Sequence, residues 1–168
     1  LNGAGLWTEK ILKNLTSGKS YTKNGIVIAM YNNDAIPLSD FHPYLDKANL
    51  VSTEIDIQFM ENIWEGIFLQ SDVITSDAKY FVESNRGKIH PSVAIENGDN
   101  IFLGNGSEVC AGSVLDARSG PIIIAGNSYI DIGALIQGPV YIGPDCRINP
   151  GAKVRKNVTL GPMCKIGG

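Results

Sequence analysis

The sequence predicts a mainly β chain whose second half, residues 87–168, winds into a left-handed parallel β-helix, and three observations carry that prediction. The first is a period of six. Stepping from Ile124, the chain places Ile124, Ile130, Ile136, Ile142, Ile148, Val154, Leu160 and Ile166, aliphatic at every step. The second is a small residue four places after each of the first seven: Ser128, Ala134, Val140, Cys146, Ala152, Val158 and Cys164. The third is turn chemistry between them, in pairs such as Gly126-Asn127, Gly138-Pro139, Pro144-Asp145 and Pro150-Gly151. Each hexad then supplies one short strand and one corner. Three hexads close a triangular coil, and coils stack about 4.8 Å apart as parallel ladders. The aliphatic side chain fills the interior, and the small residue sits where the interior narrows.

From the N-terminus, Thr8 followed by Glu9, Lys10, Ile11, Leu12 and Leu15, then Gly18, predicts a capped short helix. Gly25 to Tyr31 (GIVIAMY) and Val51 to Ile57 (VSTEIDI) predict strands. Phe59, Ile63, Trp64, Ile67 and Phe68 keep helical spacing, which predicts a linker helix leading to a boundary near Arg86-Gly87. The domain plan is therefore a small α+β piece over 1–57, a linker helix region over 58–86, and the β-helix over 87–168. Upstream of Ile124 the hexads continue out of phase at Ile89, Leu103, Val109 and Leu115. Insertions near Asn97–Asn100 and at Ser119-Gly120-Pro121 are expected to bulge from corners. About four coils result. Leu1 in place of Met, and an ending at Gly167-Gly168 inside a repeat, lead us to expect a piece of a longer protein.

Composition narrows the function. The 168 residues are 43% hydrophobic, enough for a packed core, and carry a formal charge of −3 with Lys and Arg scattered. A phosphate-backbone partner needs a concentrated basic face, so no nucleic acid partner is expected. No apolar run approaches a membrane span and no signal peptide opens the chain, so the expectation is a cytoplasmic protein without a membrane partner. Cys110, Cys146 and Cys164 are odd in number and lack CxxC spacing, which predicts buried or free thiols.

The runs Gly138-Pro139-Val140-Tyr141-Ile142-Gly143, Ile148-Asn149-Pro150-Gly151-Ala152-Lys153-Val154-Arg155, Leu160-Gly161-Pro162 and Lys165-Ile166-Gly167-Gly168 resemble a known family. It is the sugar-1-phosphate nucleotidyltransferases with a C-terminal hexapeptide-repeat domain, in the variant likened to bifunctional N-acetylglucosamine-1-phosphate uridyltransferase/glucosamine-1-phosphate acetyltransferase. Residues 1–85 resemble the same variant, through Leu1-Asn2-Gly3 and the stretch from Asn62-Ile63-Trp64 to Ser71-Asp72.

The resemblance implies that 1–57 is the end of a nucleotidyltransferase-like α/β domain. It implies nucleotidyl transfer from UTP or dTTP to a sugar 1-phosphate with Mg²⁺, acetyl transfer from acetyl-CoA to an amino-sugar phosphate in some members, and homotrimers through the β-helix. No GxGxxG, P-loop or Gly-rich Arg-Pro motif occurs in the chain, so its catalytic residues are expected outside it and the piece itself is expected to be inactive. The alternatives are a hexapeptide acyltransferase alone, or a non-catalytic trimerising module.

One site residue carries over. Ala152-Lys153-Val154-Arg155 matches the coil where the acetyltransferases set an Arg against the sugar phosphate, so Arg155 is the expected substrate-binding residue. Its outward place and planar guanidinium suit a phosphate. His90 opens the first coil in Ile89-His90-Pro91-Ser92 and reads as structural, and His42 reads as a turn residue. Two histidines do not make the three-imidazole zinc site of a carbonic anhydrase. Asp72, Asp77 and the Asn32-Asn33-Asp34 turn read as solvated or capping, so no metal site is expected in the chain.

Overall fold

A computed structural model describes residues 1, 3–31, 37, 39, 52–84 and 86–167. The Asn32-Asn33-Asp34 turn, His42, Val51 and Gly168 lie outside the described residues. The chain divides into two compact units, Leu1–Gly66 and Ile67–Gly168.

The first unit holds helix α1, Glu9–Lys13, and a three-stranded sheet. Thr8 caps the helix, its hydroxyl accepting from the Ile11 N–H at 3.3 Å. In the sheet, β1 (Lys19–Lys23) lies between antiparallel β2 (Ile26–Tyr31) and parallel β3 (Ser52–Glu54). Asn24 and Gly25, at φ 51° and 76°, make the tight turn between β1 and β2. Tyr21, Ile28, Ala29 and Ile57 form the core, with Trp7, Ile11 and Leu15 packed on it.

Three expectations change here. β1 is unforeseen because its sequence, KSYTK, is polar, although the sheet buries Ser20 and Thr22. The strand expected from Val51 to Ile57 covers Ser52–Glu54 among the described residues and ends there. After the Ile55 N–H to Thr22 carbonyl bond at 3.1 Å, the chain leaves the sheet and Ile57 turns into the core. The helix expected from Phe59 starts only at Glu65, because Phe59 is held in a bridge to Gly5. The Glu65 carboxylate also accepts from the Glu61 N–H at 2.9 Å and the Asn62 amide at 3.0 Å, closing the turn before the helix.

Helix α2, Glu65–Asp77, runs into a 3-10 segment, Ala78–Ser84, and then into the coils. The β-helix has three parallel faces. Face A stacks Lys88–Ile89, Glu108–Val109, Tyr129–Ile130, Arg147–Ile148 and Lys165–Ile166. Face B stacks Ala94–Glu96, Val114–Asp116, Leu135–Gln137 and Lys153–Val154. Face C stacks Ile101–Leu103, Ile122–Ile124, Val140–Ile142 and Val158–Leu160. Four coils are complete and a fifth begins, as the hexads require.

The predicted register holds. Ile130, Ile136, Ile142 and Ile148 have no exposed surface, and Ile124 and Val154 are buried. Leu160 and Ile166 are partly buried, and Ile89 and Ile95, on the first rung, are exposed. Positive φ falls at the fourth place of six hexads, at Asn127, Gly133, Asp145, Gly151, Asn157 and Met163. The Gly98–Asn100 3-10 turn and the Arg118–Gly120 turn are the two expected insertions.

Between faces C and A the small inward residues form a polar ladder. The Ser107 hydroxyl donates to the Ala125 carbonyl at 2.6 Å and accepts from the Ser128 N–H at 3.1 Å. One rung on, Ser128 donates to the Gly143 carbonyl at 2.8 Å and accepts from the Cys146 N–H at 3.1 Å. Cys146 Sγ donates in turn to the Gly161 carbonyl at 3.1 Å. Backbone groups turned inward at this corner are thereby satisfied by side chains.

Candidate functional site

The three faces differ in what they leave open. Face C is covered within its own unit: Ile74 and Ala78 bury against Phe102 and Ile123, and the Phe81 ring meets Tyr141 at 5.9 Å between centroids. Faces A and B present their outward ladders.

Face B forms a shallow groove of about 260 Å³ lined by Val114, Asp116, Leu135, Gln137, Lys153 and Arg155 among others. Strand alternation explains the lining, since the residues on either side of each buried aliphatic point outward. One ladder runs Ala94, Val114, Leu135, Lys153, and the other runs Glu96, Asp116, Gln137, Arg155. Charge changes sign along the second ladder. At its acidic end Arg118 Nε and a terminal guanidinium nitrogen grip Asp116 at 2.8 and 2.9 Å. The guanidinium holds the Asp116 carboxyl down to about 2, and the carboxylate raises Arg118 in return. At the other end Lys153 and Arg155 flank buried Val154 on one rung, with Leu135 and Gln137 on the rung before. Among the described residues neither cation has a carboxylate within ion-pair distance. Two unneutralised cations beside an apolar Leu135 and an amide make a surface suited to an anion carried on a partly apolar ligand.

Face A carries a second cluster, which the sequence reading did not single out. Arg147 pairs with Asp131 at 2.9 Å and lies over the Tyr129 ring at 5.0 Å. The Ile132 N–H and Arg147 lower the Asp131 carboxyl, and the Cys110 thiol beside the Tyr129 hydroxyl pushes the phenol up to about 12. The signal was available in the spacing, because residues eighteen apart, such as Tyr129 and Arg147, occupy one ladder.

The first-coil histidine makes local hydrogen bonds. His90 Nδ1 accepts from the Ser92 N–H at 3.1 Å and lies 2.8 Å from the Ser92 hydroxyl. Nδ1 is thereby engaged within its own turn. Asp72 and Asp77 lie on α2, exposed to solvent. Among the described residues no group of three or more His, Cys, Asp or Glu is placed to hold a metal ion. No helix among them is long and apolar enough to cross a membrane.

Comparison with known proteins returns one family and no individual relative. No curated protein and no solved structure matches the chain. Residues 121–156 match the family described as bacterial transferase hexapeptide (six repeats), a segment that contains both Lys153 and Arg155. With its three-faced parallel coils, the chain fits a hexapeptide-repeat transferase.

Proposed function

We propose that the chain carries the coil domain of a hexapeptide-repeat acyltransferase, and that the face B groove holds the anionic part of an amino-sugar phosphate or similar acceptor. The observation that carries this reading is the Lys153–Arg155 rung, two unpaired cations inside the segment matched by the transferase repeat. The fork of Arg155 would take two phosphate oxygens and Lys153 a third, while Leu135 lies against the apolar edge of the ligand. Acetyl-CoA is the acyl donor under this reading, and assembly as a homotrimer goes with it. The general base that takes the acceptor amine's proton is assigned to no described residue.

Nucleotidyl transfer rests on the sequence resemblance alone. Acyl transfer has the repeat match as well and is the better supported activity.

The test is release of coenzyme A from acetyl-CoA by the full-length protein, with the 168-residue chain as the inactive control, in the presence of a panel of amino-sugar phosphates and sugar nucleotides, with pyrophosphate release from UTP and dTTP as a parallel arm. Acceptor-dependent coenzyme A release that loses acceptor affinity in Arg155→Ala supports the proposal. Pyrophosphate release without coenzyme A release would replace it with nucleotidyl transfer, and silence in both arms would leave a scaffold.

A further inference from the structure

We propose that Cys146 and Cys164 are a redox pair that forms a disulfide between successive coils when the protein meets a peroxide. The two residues are eighteen apart and take the same inward place on neighbouring rungs, fixed by the in-register pairs Arg147 with Lys165 and Ile148 with Ile166. The Arg147 N–H donates to the Cys164 carbonyl at 2.8 Å, so the backbones are locked at ladder spacing. Neighbouring rungs lie about 4.8 Å apart, inside the roughly 4.4 to 6.8 Å range of Cα separations that a disulfide spans. Both sulfurs are free thiols, and the Cys164 N–H and side chain both reach Cys146 Sγ. The same place on the two preceding rungs holds Ser107 and Ser128, which cannot be oxidised in this way. Among the described rungs the chemistry is therefore confined to one step of the ladder.

The sulfurs have unequal roles. Cys146 is 1% exposed, and burial holds its proton on, whereas Cys164 is only partly covered. The Cys164 thiolate attacks one oxygen of hydrogen peroxide, the O–O bond breaks, and hydroxide leaves, giving a sulfenic acid. Cys146 sulfur then attacks Cys164 sulfur, the S–O bond breaks, and its hydroxyl leaves as water with the Cys146 proton. Two thiols are oxidised and one peroxide is reduced to two waters. The outcome is a covalent link between the fourth and fifth rungs of face A, reversed by a dithiol.

The test treats the full chain with hydrogen peroxide, alkylates the remaining thiols, and maps the peptides by mass spectrometry without reduction. The expected result is a fall from three titratable thiols to one, with Cys110 the survivor, and recovery of all three with dithiothreitol. Cys146→Ser should leave a Cys164 sulfenic acid that dimedone traps. Serine already serves at this place at residues 107 and 128, so that variant keeps the ladder's hydrogen bonds. Three thiols surviving peroxide, a bridge that includes Cys110 or joins two chains, or Cys164 oxidised beyond the sulfenic acid with Cys146 still alkylated would each overturn the proposal.

Discussion

Replacing Ser128 by Ala should destabilise the β-helix far more than the loss of one oxygen atom suggests. Ser128 is 1% exposed, and its hydroxyl holds two backbone groups at once, the Gly143 carbonyl at 2.8 Å and the Cys146 N–H at 3.1 Å. Alanine leaves both without that partner at a buried corner. A buried polar group stripped of its partner costs about 1 to 3 kcal/mol, so the pair amounts to about 2 to 4 kcal/mol after local relaxation. Cysteine at 128 is the informative control, because the ladder already uses a thiol in this role at 146, where Sγ bonds the Gly161 carbonyl. Ser128→Cys should cost under about 1.5 kcal/mol, a volume-tolerant change. Urea unfolding followed by circular dichroism at 25 °C reads both variants. An Ala variant within about 0.5 kcal/mol of the parent, the spread of ordinary surface changes, would refute the idea that this ladder satisfies the corner.

The interior grades from coil to coil, and substitutions should report it. Ile136→Ala, at a fully buried mid-stack place, should lose about 2 to 5 kcal/mol, whereas Ile95→Ala, 43% exposed on the first rung, should lose under about 1.5 in the same urea assay. A Cβ on Gly143 would sit 2.8 Å from the Gly161 and Leu160 backbones, so Gly143→Ala should pry the corner open and lower the melting temperature more than Gly161→Ala, where nothing lies within 4 Å of the added carbon. Arg118 depresses the Asp116 carboxyl to about 2. The stability this pair adds is therefore fully present above the unfolded value near 3.8 and is lost as pH falls through about 2. Carboxyl NMR titration should find Asp116 near 2 in the parent and close to 4 in Arg118→Ala. Ultraviolet titration should find one of the six tyrosines, Tyr129, ionising near 12, and Cys110→Ala should bring it toward about 10.

Much of the β-helix is legible in the sequence, because its period is short and each place in the hexad has a separate physical demand. Ile130, Ile136, Ile142 and Ile148 could be assigned to the interior, and Asn127, Asp145 and Gly151 to turns, before any coordinates. The first unit is less legible. β1 is polar, and only pairing on both sides makes it a central strand. Phe59 and Ile63 carry a helical rhythm that the Gly5 bridge and the Glu65 turn override. The groove was half visible: Arg155 stood out, but Lys153, Gln137 and Leu135 join it only through coil stacking. The Tyr129–Asp131–Arg147 cluster needed the same eighteen-residue step applied to outward places.

The measurement that bears most directly on the account is calorimetric titration of an amino-sugar 1-phosphate into the parent, Arg155→Ala and Lys165→Ala, the last removing a cation of face A. A charge-assisted bond is worth about 1.5 to 3 kcal/mol, so the account predicts roughly 10- to 100-fold weaker binding in Arg155→Ala and an unchanged affinity in Lys165→Ala. Equal affinity in all three proteins would contradict a binding site on face B.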